Sequence, residues 1–160
     1  MKNRKPINLS WLVEKWTLID EDSYLKNMWL NTESLDFIRI NQEIQTREDI
    51  VKSYIDIDDD VEHYILMPGK DEIDGSDIRD AFISSLGKRD RDAFIDNAEF
   101  IAPAAEFLDT VYELGLESEW NDFRDKVAAD VLLNWAEEEG LSINKDMETI
   151  NINKILWENM

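Results

Sequence analysis

The sequence predicts an α+β fold: a small antiparallel sheet (a hairpin plus one strand), an N-terminal helix, and a C-terminal cluster of three to four helices. Apolar and polar residues alternate over residues 24–30 and 35–40, as in half-buried strands. Over residues 119–139, apolar residues instead recur at helical spacing. At 160 residues, with 43% hydrophobic residues, the chain can build a packed core. We expect one domain over residues 1–141 and an extension over residues 142–160, with docking of this extension left open.

Local signals place the elements of the N-terminal half. A first short helix is predicted by helical spacing of Leu9, Leu12, Val13 and Trp16. The two alternating runs are joined by four polar residues, 31–34, which indicate a hairpin. Thr46 and Asp49 form a capping-box pattern ahead of a second helix, which carries Ile50, Val51, Tyr54 and Ile55. A third strand is predicted over residues 63–67, before Pro68 and Gly69.

The C-terminal half is predicted to be helical. One helix ends at Gly87, and the next carries Ala93, Phe94 and Ala98. A further helix begins near Pro103 and ends at Gly115. The longest helix, over residues 119–139 and closed by Gly140, turns one stripe inward: Trp120, Phe123, Val127, Val131, Leu132 and Trp135. The pattern beyond residue 142 fits either a docked strand or a short helix.

The composition excludes several classes of protein. The chain has no cysteine, so it has no disulfide framework, and this is typical of a reducing cytoplasm. No apolar run is long enough to cross a bilayer, and the N-terminus lacks the apolar segment of a signal peptide. We therefore expect a cytoplasmic protein that does not enter a membrane. The formal net charge of −20 argues against direct nucleic-acid binding and permits a basic protein as partner. The alternative is that the charge only keeps a soluble protein monomeric.

The run DIDDDVEHY, residues 56–64, resembles the start of a calcium loop but lacks its essential residues. Position 6 of such a loop requires glycine and is Val61, and position 12 requires glutamate and is Met67. His63, the one histidine, has no cysteine or second histidine with which to bind a transition metal, and no nucleophile motif accompanies it. We predict no metal, cofactor or catalytic residue, and a solvated segment here.

Three groups of charged residues are the candidate interaction sites. They are Asp58, Asp59 and Asp60; Glu137, Glu138 and Glu139; and Asp122, Arg124 and Asp125. Near its N-terminus a helix favours carboxylates, whereas the triplet at the end of the long helix opposes the helix dipole. Residues 104–139 contain eleven acids and two bases, and residues 46–80 contain twelve acids and four bases, so negative charge covers both halves.

These features favour a non-enzymatic protein that contacts a basic macromolecule, with the physical character of immunity proteins, antitoxins or nucleic-acid mimics. The alternative is a hydrolase that uses two of the carboxylates, although no pair stands out among 37 acids. The oligomeric state stays open.

The order and spacing of several segments resemble the bacterial uncharacterised protein family 0158. The segments are YILMPGKDEID (64–74), DAFI (80–83), FLD (107–109), GL (115–116), WNDFRD (120–125) and WAEEEGL (135–141). The resemblance covers residues 8–141 and implies no particular activity. Members often carry a Gly-Arg-Gly-type segment ahead of the position of Phe107, where this chain reads FIAPA (100–104). A binding role of that segment would therefore be altered here.

Overall fold

The computed structural model describes residues 6–17, 28–42, 44–69, 76–95 and 103–158. The chain divides into two compact units, one formed by Met1–Glu72 and Val131–Glu148 and the other by Ile73–Asp130 and Thr149–Met160. The predicted domain limits, 1–141 and 142–160, stay a prediction. Within the described residues, the elements in chain order are β1 Ile7–Asn8, α1 Leu9–Thr17, β2 Met28–Asn31, β3 Phe37–Arg39, α2 Arg47–Asp59, β4 Tyr64–Leu66, α3 Ser76–Ser85, α4 Lys88–Ile95, α5 Pro103–Glu113, α6 Glu117–Glu138, β5 Ile143–Asn144 and α7 Ile152–Glu158.

The α+β class is confirmed, and so is the antiparallel sheet made of a hairpin and one further strand. Its order is β3-β2-β4, with both neighbours antiparallel to β2. The hairpin connection runs over residues 32–36 rather than 31–34, because Asn31 pairs with Tyr64 as the last residue of β2. The Asn31 side-chain oxygen accepts hydrogen bonds from the backbone N–H groups of Glu33 and Ser34, and these bonds shape the turn. Residues 24–27 of the predicted first run lie outside the described residues.

The N-terminus of α1 is joined to the tail of the chain. Ile7–Asn8 pairs in parallel with Ile143–Asn144, and the Asn144 side-chain nitrogen donates a 2.8 Å hydrogen bond to Asn8 Oδ1. Asp146 accepts a 2.8 Å hydrogen bond from the backbone N–H of Ser10 and another from its hydroxyl group. The carboxylate therefore caps the first turn of α1 from 136 residues away. The tail forms both structures that the sequence left open, the strand β5 and the helix α7.

In the first unit, two buried tryptophans donate hydrogen bonds to the end of β4 and to the residues just after it. The Trp16 indole N–H donates to the carbonyl oxygen of Pro68 at 3.1 Å, and that of Trp135 donates to Leu66 at 3.0 Å. Trp16 is fully buried among other apolar side chains of this unit. A buried indole needs such an acceptor, because an unmade hydrogen bond in the core costs free energy.

Five rings form the core of the second unit and are called the aromatic cluster: Phe82, Phe94, Phe107, Trp120 and Phe123. The ring centroids of Phe107 and Trp120 lie 4.8 Å apart, and those of Phe82 and Trp120 lie 5.1 Å apart, both edge to face. Each such pair stabilises the fold by about 0.5–1.5 kcal/mol beyond the free energy gained by burying its apolar area. The cluster joins α3, α4, α5 and α6, which confirms the predicted cluster of helices in the C-terminal half.

Two of the three predicted helix-ending glycines behave as expected. Gly115 and Gly140 have φ values of 68° and 70°, and the next residue in each case bonds back to a carbonyl five residues earlier. The interpretation of Gly87 as such a cap is wrong, since its φ is not left-handed. Its carbonyl instead accepts the N–H of Arg91 and so begins α4. Ala98, predicted for the same helix, lies outside the described residues.

Candidate functional site

The helix α2 begins with a strong cap and ends with carboxylates. The Thr46 hydroxyl accepts a 3.2 Å hydrogen bond from the backbone N–H of Asp49, which confirms the predicted capping pattern. Glu48 and Asp49 in the first turn favour the helix dipole. The last turn has no basic residue and instead carries Asp58 and Asp59, which the dipole disfavours. The helix is therefore stabilised at its start and left electrostatically unfavourable at its end.

Most of α2 is exposed to solvent. Of its 13 residues, all of which the structure describes, Ile57 is the one that is buried. Val51, Tyr54 and Ile55 are 49%, 44% and 52% exposed. With Asp58 they are spaced i, i+3, i+4 and i+7, so they share one side of the helix. We call these four residues the α2 face.

The three predicted acids at the end of α2 have two different environments. Asp58 and Asp59 are exposed. Asp60, in the turn after the helix, accepts a 2.9 Å hydrogen bond from the Asn31 side chain and lies 2.6 Å from Nδ1 of His63. The predicted site residue Asp60 is thus used within the first unit, where it ties the end of α2 to the hairpin turn.

The pKa values of this cluster follow from its contacts. The hydrogen bonds from His63 and Asn31 lower the pKa of Asp60 below its ordinary value. The same contact with Asp60, together with the nearby carboxylates of Glu33 and Glu62, raises the pKa of His63 above its ordinary value. His63 Nε2 lies 3.1 Å from the Glu33 carboxylate, so protonated His63 bridges two acids. His63 therefore acts as a link between turns in the described structure.

The second predicted group stands at the end of α6. The helix ends at Glu138, and its last turn contains no basic residue. Glu137 and Glu138 are exposed, and Glu139 is half-buried in the turn that follows. These carboxylates oppose the helix dipole, as the sequence indicated, so a partner cation near them would gain from both the carboxylates and the terminal carbonyl groups.

The third predicted group, near the start of α6, is divided between solvent and the aromatic cluster. The Arg124 guanidinium carbon lies 5.7 Å from the centroid of the Trp120 ring, a cation–π contact that covers the edge of the cluster. Asp122 lies 2.9 Å from Lys126 Nζ. Partial desolvation by neighbouring atoms, followed by the Asp122 charge, raises the pKa of Asp125, although much of this side chain is exposed. Arg124 is therefore positioned by a ring, while Asp122 and Asp125 face solvent.

No group of three or more histidine, aspartate and glutamate side chains among the described residues is arranged to hold a metal ion. In the same part of the chain, no helix is both long and apolar enough to span a bilayer. The hydrolase alternative stays a prediction.

Sequence reasoning missed the α2 face. The positions of Val51, Tyr54 and Ile55 predicted the helix, but the prediction did not specify which side of the helix is buried. The signal was present, because Ile50 and Ile57 lie seven residues apart on a second side of the same helix. A helix with apolar residues on two sides, packed on one, leaves the other exposed.

Comparisons with protein-family models, with curated proteins and with solved structures found no match to this chain. The resemblance to uncharacterised protein family 0158 stays an expectation from the sequence.

Proposed function

We propose that this protein is a non-enzymatic binding protein that contacts a basic protein through exposed carboxylates. The observation that carries the proposal is the placement of acids at the C-terminal ends of α2 and α6, without any basic residue in either last turn. Each such acid costs a few tenths of a kcal/mol through the helix dipole. A cationic partner removes that cost and adds charge-assisted hydrogen bonds.

The overall charge supports the same conclusion. The net charge of −20 repels phosphate backbones and attracts positively charged proteins, whose encounter it accelerates. The Thr46 cap of α2 and the left-handed Gly140 that follows α6 keep these carboxylates on ordered helices, so little conformational entropy is lost when a partner binds. Immunity proteins, antitoxins and nucleic-acid mimics are the functional classes with this character.

The test is affinity capture from a lysate of the cells that express the protein, at about 0.1 M and about 0.5 M NaCl, because salt screens exposed charges over a few ångströms at the higher concentration. We expect a protein with a strongly basic sequence to be retained at low salt and released at high salt. Retention that is unchanged by the higher salt, or partners without basic character, would refute the proposal.

A chain of the same composition in scrambled order is the matched control, since it carries the same net charge without the folded surface. We expect it not to retain the basic protein that the native chain retains. If both chains capture the same proteins equally, charge alone explains the binding and the proposed recognition is wrong.

A further inference from the structure

The α2 face combines exposed apolar side chains with a dense negative charge. Residues 47–62 contain seven acids and only two bases, Arg47 and Lys52. Asp58 belongs to the face itself, and Glu48 and Asp59 lie at its edge beside Ile55 by helical spacing. Solvated acids alone need no partner, but two aliphatic side chains and a tyrosine left half-exposed on one side of a helix mark a surface that gains free energy when covered.

We infer that the α2 face is the docking surface for a basic amphipathic helix of the partner, an inference that rests on the proposed function. Apolar residues of that helix, spaced at i, i+3 or i+4 and i+7, would pack on Val51, Tyr54 and Ile55. Its lysine and arginine side chains would reach Asp58 and Asp59. From Val51 to Asp58 the face extends about 10 Å along the axis, which matches two turns of a partner helix.

The charge of the face selects this occupant over others. A second copy of the chain would bring an equally acidic face against it, and repulsion between like charges costs affinity. Nucleic acids and anionic membrane surfaces carry phosphate groups and are repelled for the same reason. A cationic helix is complementary in both respects, because its apolar side covers the apolar residues and its charged flanks meet the carboxylates.

Contacts within the first unit order α2 in the absence of a partner. Thr46 caps the first turn, Ile57 anchors the inner side, and Asp60 fastens the end of the helix to His63 and Asn31. All three contacts lie away from the α2 face. A partner therefore meets an already ordered helix and does not need to fold it.

The test measures the binding of a fluorescent synthetic peptide to the full chain. The peptide has about 18 residues, with leucines at helical spacing on one side and lysines and arginines on the other. A second peptide has the same composition in an order that spreads the leucines around the helix. We expect the amphipathic peptide to bind and the shuffled peptide to bind at least about tenfold more weakly.

Paired substitutions on two helices locate the binding surface. V51Q/I55Q removes apolar area from the α2 face, and its matched control on α5 is L108Q/Y112Q, where both residues are also exposed. We expect the first variant to weaken binding by about tenfold and the control by less than about twofold. Because both pairs are solvent-exposed, we expect each variant to fold. Circular dichroism and thermal unfolding check this.

Charge is tested in the same way. D58N/D59N on α2 is paired with D109N/E113Q on α5, whose two acids are also exposed. We expect only the α2 variant to weaken binding, by several-fold at low salt, with the difference disappearing as salt screens the charges.

The possible results separate this inference from the function on which it rests. Weaker peptide binding by both α2 variants, with much smaller effects of the α5 controls, supports it. The inference is overturned if the amphipathic peptide does not bind, or if the α2 and α5 pairs have equal effects. It is also overturned if the wild-type chain sediments as a dimer and V51Q/I55Q sediments as a monomer. If V51Q/I55Q still captures the basic protein from lysate in a salt-dependent way, the proposed function stands and only the docking surface is wrong.

Discussion

Both units bury apolar side chains, but different contacts join the elements within each of them. In the second unit, rings from consecutive helices form the aromatic cluster, with Phe82 meeting Phe107, Trp120 and Phe123. In the first unit, hydrogen bonds from side chains join segments that are 29 to 136 residues apart in the sequence, as between Asn31 and Asp60 or Ser10 and Asp146. The free energy of burying a ring scales with its apolar area, whereas each hydrogen bond depends on one donor and one acceptor. We therefore expect single substitutions to cost more in the aromatic cluster than at the polar links.

The largest effect is expected for F82A. Phe82 is 2% exposed, and its ring contacts three other members of the aromatic cluster. The variant leaves a cavity, so the free energy of unfolding should fall by about 3–5 kcal/mol. Chemical denaturation of the protein, followed by tryptophan fluorescence or circular dichroism, measures this loss.

The matched control for F82A is Y112A, a ring truncation at an exposed site in the same unit. A surface truncation of this kind changes the free energy of unfolding by about 0.5 kcal/mol or less. Equal losses in the two variants would mean that the aromatic cluster is not the core of this unit.

A smaller effect is expected for W16F in the first unit. The substitution removes the indole N–H that bonds to the carbonyl of Pro68, together with part of a fully buried ring. The lost hydrogen bond contributes about 0.5–1.5 kcal/mol, and the remaining gap adds to it, so we expect a total of about 1–3 kcal/mol. Thermal or denaturant unfolding measures the change.

The exposed Trp157 supplies the comparison for W16F, through W157F. That variant should be close to the wild type in stability, because its ring gains little from burial. A loss for W16F as large as that for F82A would break the contrast between the units.

The same contrast explains how much of the fold could be predicted. The period of apolar residues along α6 and the glycines at 115 and 140 are local signals, and they predicted that helix and its end. The pairing of β1 with β5 and the capping of α1 by Asp146 depend on residues that meet only after folding. No local pattern encodes a contact across 136 residues.

The candidate site was predicted in part, for the same reason. Asp58, Asp59, Glu137 and Glu138 were identified from charge, and they are exposed. Asp60 was grouped with them, but tertiary contacts with Asn31 and His63 use its carboxylate within the fold. The exposure of the α2 face depends on which side of the helix meets the core, which composition does not determine.

The smallest expected effect concerns the link between Asp60 and His63, and it is read as a shift in pKa. His63 is the one histidine of the chain, so its ring protons are unambiguous in a ¹H NMR titration. We expect its pKa to lie above the ordinary 6.5, because the Asp60 carboxylate stabilises the protonated ring. D60N should lower this pKa toward 6.5, since Asn keeps the shape of the side chain without its charge.

The sign of the linked change in stability follows from these directions. Since folding raises the pKa of His63, its contribution is fully present below pH 6.5 and is lost as the pH rises through the pKa of the folded state. Folding lowers the pKa of Asp60, so that contribution is present above 3.8 and is lost as the pH falls through the lowered value. Both contributions are thus fully present between about pH 3.8 and pH 6.5. The control is E62Q, which removes the weakest of the three acidic influences on the pKa of His63. If E62Q and D60N lower this pKa equally, diffuse negative charge, and not the Asp60 contact, stabilises protonated His63.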